Sequence, residues 1–206
     1  MKKIDSSIFL MSISSSTMSK ASNYYVIKRN GESEGIRFDK ITDRINKLLD
    51  DEMRETIDVI EIVKKTISSI YPGITTDELD AQSAYQCAMM TTRNYDYARL
   101  AGRIAASNLH KKTMKTFVEK MEFIQEKINL YDKNWIEFLQ KYKSKINRTV
   151  KYERDYLFDY FGIKTMEKIY ITKYKKELIE RPQDVFMRVC SLIHCGDIDK
   201  TIRAYN

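Results

Sequence analysis

Three short stretches of this chain hold residues suited to anion chemistry. Lys28-Arg29-Asn30-Gly31 sets two cations beside a turn. Thr75-Thr76-Asp77-Glu78 opens a helix, whose first amides lack intrahelical acceptors and carry partial positive charge. Lys111 lies near the end of a later helix, where a cation also favours the helix dipole. Together they could hold phosphate oxygens through charge-assisted hydrogen bonds. No Gly-rich phosphate loop of the Walker or Rossmann kind is present, so phosphate binding here needs another architecture. A lone Lys-Arg pair is more often a solvated one, so the weight rests on the three stretches together.

These residues need elements to place them. Tyr24–Arg29 is β-branched and aromatic, Asn30-Gly31 is a hairpin turn signal, and Glu32–Phe38 reads as the return strand. Asp39 then reads as the N-cap of a first helix carrying Ile41, Ile45, Leu48 and Leu49. A second helix carries Ile57, Ile60, Val63 or Lys64, Ile67 and Ile70, and Tyr71-Pro72-Gly73 breaks it. Thr75 and Glu78 fit a capping box for a third. The fourth runs from about Tyr95 to Lys112, with Tyr97, Leu100, Ala101, Ile104, Ala105 and Leu109 inward and small residues that allow close packing. Beyond Thr113, Met114, Phe117, Val118, Met121 and Ile124 form one helical stripe. Ile128, Tyr131, Trp135, Phe138, Leu139, Tyr142 and Ile146 form another, read as core rather than as a cofactor box.

Bulk properties bound the function. Of 206 residues, 32% are charged and 43% hydrophobic, the balance of a globular protein with room for a core. No apolar run approaches the ~20 residues that cross a bilayer, so no membrane role is expected. The net charge of +7 invites a nucleic-acid partner. Acids and bases balance over residues 23–113, however, and the excess is spread through amphipathic segments, so none is expected. Cys87, Cys190 and Cys195 lack any CxxC spacing and read as buried free thiols of a reducing, cytoplasmic compartment. A redox pair of Cys190 and Cys195 is the alternative. Residues 1–22, rich in Ser and Met, read as a disordered extension, with Met11 or Met18 as an alternative start.

The stretches Val26-Ile27-Lys28-Arg29, Phe38-Asp39-Lys40-Ile41, Thr75-Thr76-Asp77-Glu78-Leu79-Asp80, Asp96-Tyr97-Ala98 to Ala105 and Ser107-Asn108-Leu109-His110-Lys111 follow one order and spacing. In these, residues 25–112 resemble the ATP-cone domain of ribonucleotide reductase large subunits. Tyr152-Glu153-Arg154-Asp155-Tyr156, Tyr160 to Glu167, Glu180-Arg181-Pro182-Gln183, Met187-Arg188-Val189, Ile193-His194 and Asp197-Ile198-Asp199 extend the resemblance to the class I, eukaryote- and virus-type subunit.

The resemblance implies a mainly α fold: a helical cone capped by a small β-hairpin or sheet over 23–113, then a helical domain over 114–206 that leads into an α/β barrel. It implies ATP or dATP as allosteric effector, with Mg²⁺ bound to the nucleotide. Val26 and Ile27 would lie along the base or ribose, and Lys28 and Arg29 would meet phosphates. Glu34, Arg37 and Lys40 would face adenine and ribose, and Thr76 would bond phosphate or a bridging water. Asp80 would help tell ATP from dATP, and Lys111 would complete the phosphate site. No catalytic and no metal-ligating residue is expected here, because the family's radical and reducing cysteines lie in the barrel, which this chain lacks. The implied partners are that barrel, the small radical-generating subunit, and further copies meeting through the cone. A truncated or split-gene subunit, inactive alone, is the expectation. The alternative is a vestigial cone that docks on a separate reductase polypeptide.

Overall fold

A computed structural model describes residues 24–206. The expectation for residues 1–22 lies outside the described residues. The fold is mainly helical, with a three-stranded sheet at one end.

Strand β1 (Tyr25–Ile27) pairs antiparallel with β2 (Ser33–Gly35), placing Val26 opposite Glu34. Short β3 (Ile74–Thr75) adds parallel to β1, with Val26 opposite Ile74, and gives the order β2-β1-β3. The hairpin loop has three residues. Lys28 N donates to Glu32 O at 2.8 Å, and Gly31 N donates to Lys28 O at 2.9 Å. Only Gly31 is left-handed, at φ +84°, while the Asn30 carboxamide oxygen accepts from Glu32 N at 3.1 Å. This is a turn closed by a left-handed glycine, not the two-residue turn with both residues at positive φ.

Helix α1 (Phe38–Asn46) begins earlier than its capping pattern suggests. Arg37 is the N-cap residue, and β2 ends at Gly35 rather than at Phe38. Asp39 lies inside the first turn, where it accepts from Arg37 Nη2 at 2.7 Å and still complements the helix dipole. Next comes a helix too short to show periodicity, α2 (Asp51–Thr56), capped by Asp50 and burying Met53. Helix α3 (Val59–Ser68) is capped by Asp58 and buries Ile62, Val63 and Thr66. Ile60 and Ile67 are only half-buried, because the break at Ile57–Asp58 rotates the helix away from the expected stripe. Ile57 and Ile70 are buried from the flanking turns.

Helix α4 (Thr76–Ala88) forms with the expected capping box: Glu78 N donates to Thr75 Oγ1 at 3.1 Å, and Thr75 N to the Glu78 carboxylate at 2.9 Å. Helix α5 (Asp96–Lys112) buries all six residues of its expected inner face. Its Gly102 lies against the backbone of Phe158 and Asp159. A Cβ there would stand 2.2 Å from the Phe158 carbonyl oxygen. The small residues of α5 thus admit a crossing chain as well as the packing of α4.

The remainder comprises α6 (Phe117–Ile128), α7 (Lys133–Lys141), α8 (Lys143–Thr149), a 3₁₀ turn (Tyr152–Leu157), α9 (Tyr160–Thr165) and a π turn (Met166–Tyr170). A two-stranded ribbon (Lys173–Tyr174 with Glu177–Leu178), α10 (Pro182–Ile193) and α11 (Ile198–Tyr205) follow. Two large apolar cores and a small cluster of Leu109, Met166, Ile171 and Val185 result among the described residues. One gathers Val26, Ile41, Ile45, Ile62, Leu100 and Ile104, and Ile163 of α9 joins it. The other gathers Phe117, Met121, Ile124, Trp135, Leu139 and Met187. Ile128 departs from its expected stripe and is exposed, since α6 ends there in a left-handed Asn129. Among the described residues no helix is long and apolar enough to cross a membrane.

Candidate functional site

A groove of about 270 Å³ opens beneath the hairpin, between α1, α4 and α5. Its apolar wall comes from Val26, Ile41, Ile45, Leu48, Leu79 and Ile104, and its polar wall from Lys28, Glu34, Arg37, Lys40, Arg44, Thr76 and Asp80. The local sequence explains the arrangement. Strand alternation turns Val26 into the groove. Residues 37, 40, 41, 44, 45 and 48 recur at helical spacing along one side of α1. Thr76, Asp80 and Ser83 line the groove from successive turns of α4.

A ladder of charge crosses its mouth. Glu34 accepts from Lys28 at 2.9 Å and lies in close contact with Lys40. The hydrogen bonds from Lys40 and then Lys28 pull the Glu34 carboxyl down to about 2. Arg37 turns to Asp39 and is exposed.

Deeper in, Asp80 is buried among three cations. Arg44 contacts it directly, with Arg29 at 3.8 Å and Lys111 at 3.9 Å. Burial pushes the Asp80 carboxyl up, against the pull of Arg44, Lys111 and Arg29. Burial likewise pulls the Lys111 ammonium down. Arg29 is braced by Asn108, whose Oδ1 accepts from Nη2 at 2.8 Å while its Nδ2 donates to the Asp77 carbonyl oxygen at 3.3 Å.

Of the ten residues singled out in the sequence, seven line the groove: Val26, Lys28, Glu34, Arg37, Lys40, Thr76 and Asp80. Arg29 and Lys111 stand just behind it, joined to it through Asp80. Ile27 is the exception: it alternates away from Val26, so its side chain does not line the groove. Arg44 and Asn108 were missed. The i,i+4 spacing from Lys40 could have found Arg44, whereas nothing local marks Asn108 as the brace of a residue 79 positions away.

The cysteines depart in part from expectation. All three are free, but Cys87 alone is buried, with its thiol pushed up to about 12, while Cys190 is half-buried and Cys195 is exposed. The difference is one of placement, since Cys195 follows the end of α10 at the surface.

Against known families, residues 24–112 match the ATP cone domain, and residues 156–206 match the all-alpha domain of ribonucleotide reductase. The chain is similar to the ribonucleoside-diphosphate reductase large subunit of Vaccinia virus (strain Copenhagen), 46% identical over 190 residues. That alignment covers 88% of this chain and 25% of the viral protein. The Caenorhabditis elegans large subunit is 42% identical over 198 residues, covering 92% and 25%. Large chain 2 of Saccharomyces cerevisiae (strain ATCC 204508 / S288c) is 40% identical over 190 residues, covering 88% and 22%. The chain therefore spans about a quarter of the length of the curated relatives it matches.

Proposed function

We propose, for a chain that belongs to the ribonucleotide reductase large-subunit family through an ATP cone and an all-alpha domain, that the groove beneath the hairpin is an allosteric effector site for ATP and dATP. One observation carries the reading. Arg29, Arg44 and Lys111 converge on a single buried carboxylate beside an apolar groove. That pairing of an apolar slot with excess cation suits a purine joined to phosphates.

In this reading the base lies against Val26 and Ile41, with Glu34 and Lys40 at its polar edge. Thr76 and the first turn of α4 receive phosphate, and Lys28, Arg29 and Lys111 neutralise it. Asp80 answers to the presence or absence of one ribose hydroxyl, since a buried polar group discriminates strongly when its partner is missing. Among the described residues no three His, Cys, Asp or Glu side chains gather into a metal cage. Mg²⁺ enters on the nucleotide's own phosphates and completes its shell with water.

The effector domain takes residues 23–113, and residues 114–206 form the helical domain beside it. Effector binding then changes how copies of the large subunit associate, through a coupling of about 1–3 kcal/mol between groove and interface. Ribonucleoside-diphosphate reduction, with the small radical-generating subunit and in the cytoplasm, is assigned to the whole large subunit. Regulation is assigned to this region.

Calorimetry of the 206-residue chain with ATP and with dATP, in Mg²⁺, tests the site. We expect both to bind, and Lys28→Ala with Lys111→Ala to weaken binding at least about tenfold. No heat from either nucleotide at high micromolar concentration, or unchanged affinity in the double variant, overturns the reading.

A further inference from the structure

The last turn of α5 is gripped from two sides. Toward the groove, Asn108 braces Arg29 at 2.8 Å, and Lys111 lies 3.9 Å from Asp80. Lys112 Nζ lies 2.6 Å from Asp77 Oδ1. On the other side, Leu109 packs with Met166, Ile171 and Val185. His110 Nε2 meets Asp155 Oδ2 at 2.6 Å. Arg181 donates to Thr113 Oγ1 at 2.7 Å and to the carbonyl oxygens of His110 and Met114 at 3.1 and 3.0 Å. Residues 108, 111 and 112 thus face the groove cluster, and 109, 110 and 113 face α10 and the 3₁₀ turn, as helical periodicity requires. A helical turn is stiff. It cannot shift against Arg29 and Asp80 without pulling on Asp155 and Arg181.

The grip on the far side contains a group that titrates near neutral pH. Asp155 is fully buried, and its other oxygen accepts from Gln183 N at 3.0 Å. His110 keeps 16% of its side chain in solvent, so its ring can exchange a proton there. Burial pushes the Asp155 carboxyl up, against the pull of His110. A proton taken up by the pair converts a hydrogen-bonded carboxylate into an ion pair and adds one positive charge beside Lys111. Tyr152 and Tyr156 of the 3₁₀ turn face the pair, with Arg181 and Asp184 at the start of α10 and Lys120 of α6. Lys111 and Lys112 flank it on its own helix. Arg181 and Lys120 balance Asp155 and Asp184, so the imidazole decides the charge of this cluster near neutral pH.

We propose that the last turn of α5 couples the groove to α10, and that the His110–Asp155 pair is its proton-responsive joint, so that a polyanion in the groove and a proton on the pair each strengthen the binding of the other. The inference rests on the effector reading of the groove and adds pH as a second input to that site. A proton on the pair adds positive charge to the turn that carries Lys111, and phosphates near Lys111 favour that proton in return. The competing role for the pair is structural: a buried hydrogen bond that ties α5 to the 3₁₀ turn whatever the groove holds.

The chain has two histidines, His110 and His194, so their ring signals separate cleanly in NMR. The test adds ATP with Mg²⁺ to the labelled 206-residue chain and follows both rings. Calorimetry then measures ATP affinity at about pH 7.5 and about pH 6, which bracket the usual histidine range. It compares wild type, His110→Gln, Asp155→Asn and, as a control, His194→Gln, with melting temperatures taken alongside. We expect the His110 ring signal to move on ATP addition and the His194 signal to stay. Wild-type affinity should rise about three- to tenfold more from the higher to the lower pH than that of His110→Gln or Asp155→Asn. His194→Gln should follow wild type. Protonation of the nucleotide's own phosphates is common to all variants and drops out of the comparison.

A His110 ring that stays unmoved at saturating ATP overturns the coupling. So does an equal pH response in wild type and His110→Gln, the result a purely structural pair gives even where the melting temperature falls. If neither joint variant folds, the wild-type ring signal decides alone. ATP binding with a silent His110 removes the coupling and leaves the effector reading standing. Absence of ATP binding at either pH overturns the effector reading, and the coupling with it.

Discussion

Two clusters of buried charge in the described residues are built to opposite ends. In the groove, three cations surround Asp80, and each keeps part of its side chain in solvent: 27% for Arg44 and 38% each for Arg29 and Lys111. In the second core, Lys120 and Asp184 are both fully buried, 2.6 Å apart. Every group there has a partner. Tyr152 Oη donates to Asp184 at 2.6 Å, and Arg181 N donates to the same carboxylate at 2.6 Å. The Arg181 side chain reaches back to Thr113 Oγ1 and to the carbonyl oxygens of His110 and Met114. Asp155 joins His110 at 2.6 Å and accepts from Gln183 N at 3.0 Å. The first cluster has cation to spare and an open side, as a ligand site requires. The second is closed and balanced, and it ties the end of α5 to α10. Buried charge marks a binding site only where the balance is left unfinished.

The difference can be broken by mutation. Asp184→Ala leaves the Lys120 ammonium buried without its carboxylate, and we expect a loss of about 3–5 kcal/mol in urea denaturation. Lys120→Met with Asp184→Leu should recover most of that loss, since a buried ion pair and an apolar pair of similar volume are often comparable. A loss under about 1 kcal/mol for Asp184→Ala would remove the distinction between the clusters.

pH separates them next. Burial pulls the Lys120 ammonium down to about 8, against the opposing pull of Asp184. Between that value and its ordinary 10.5, the unfolded chain binds the proton that the folded chain has released. Stability from this group therefore rises with pH across that window, and below it the full burial cost is present. Measured against the Lys120→Met/Asp184→Leu variant, wild type should gain about 1–3 kcal/mol from pH 7 to pH 10. A flat difference would mean that Lys120 keeps its proton throughout.

The smallest effect belongs to the groove. Asp80→Asn should cost about 1 kcal/mol or less, because its three cations can turn to water once the carboxylate charge is gone. A loss as large as that of Asp184→Ala would make the groove cluster structural as well.

Much of the cone was legible in the sequence. The Asn-Gly turn, the Thr75–Glu78 capping box and the inner face of α5 are local patterns, and each formed where residue spacing placed it. Errors fell where short breaks reset the register. Arg37 displaced Asp39 as the cap of α1, and the break at Ile57–Asp58 turned α3 to a different face. Seven of the ten candidate residues reached the groove because strand alternation and helical periodicity fix which side of an element a residue takes. Ile27 missed it for the same reason, lying one residue out of phase with Val26.

Sequence by itself thus determined where the hairpin turn and the longer helices of the cone form and which cations are available, since capping, turn chemistry and periodicity act within a few residues. Tertiary structure decided what those charges face. Arg44 meets Asp80 across 36 positions, Arg29 meets Asn108 across 79, and Lys120 meets Asp184 across 64. Whether a charge becomes part of a closed network or of an open site depends on the partners and burial that packing supplies. Coulomb energy and desolvation are set by distance and surroundings in space, which residue spacing along the chain does not encode.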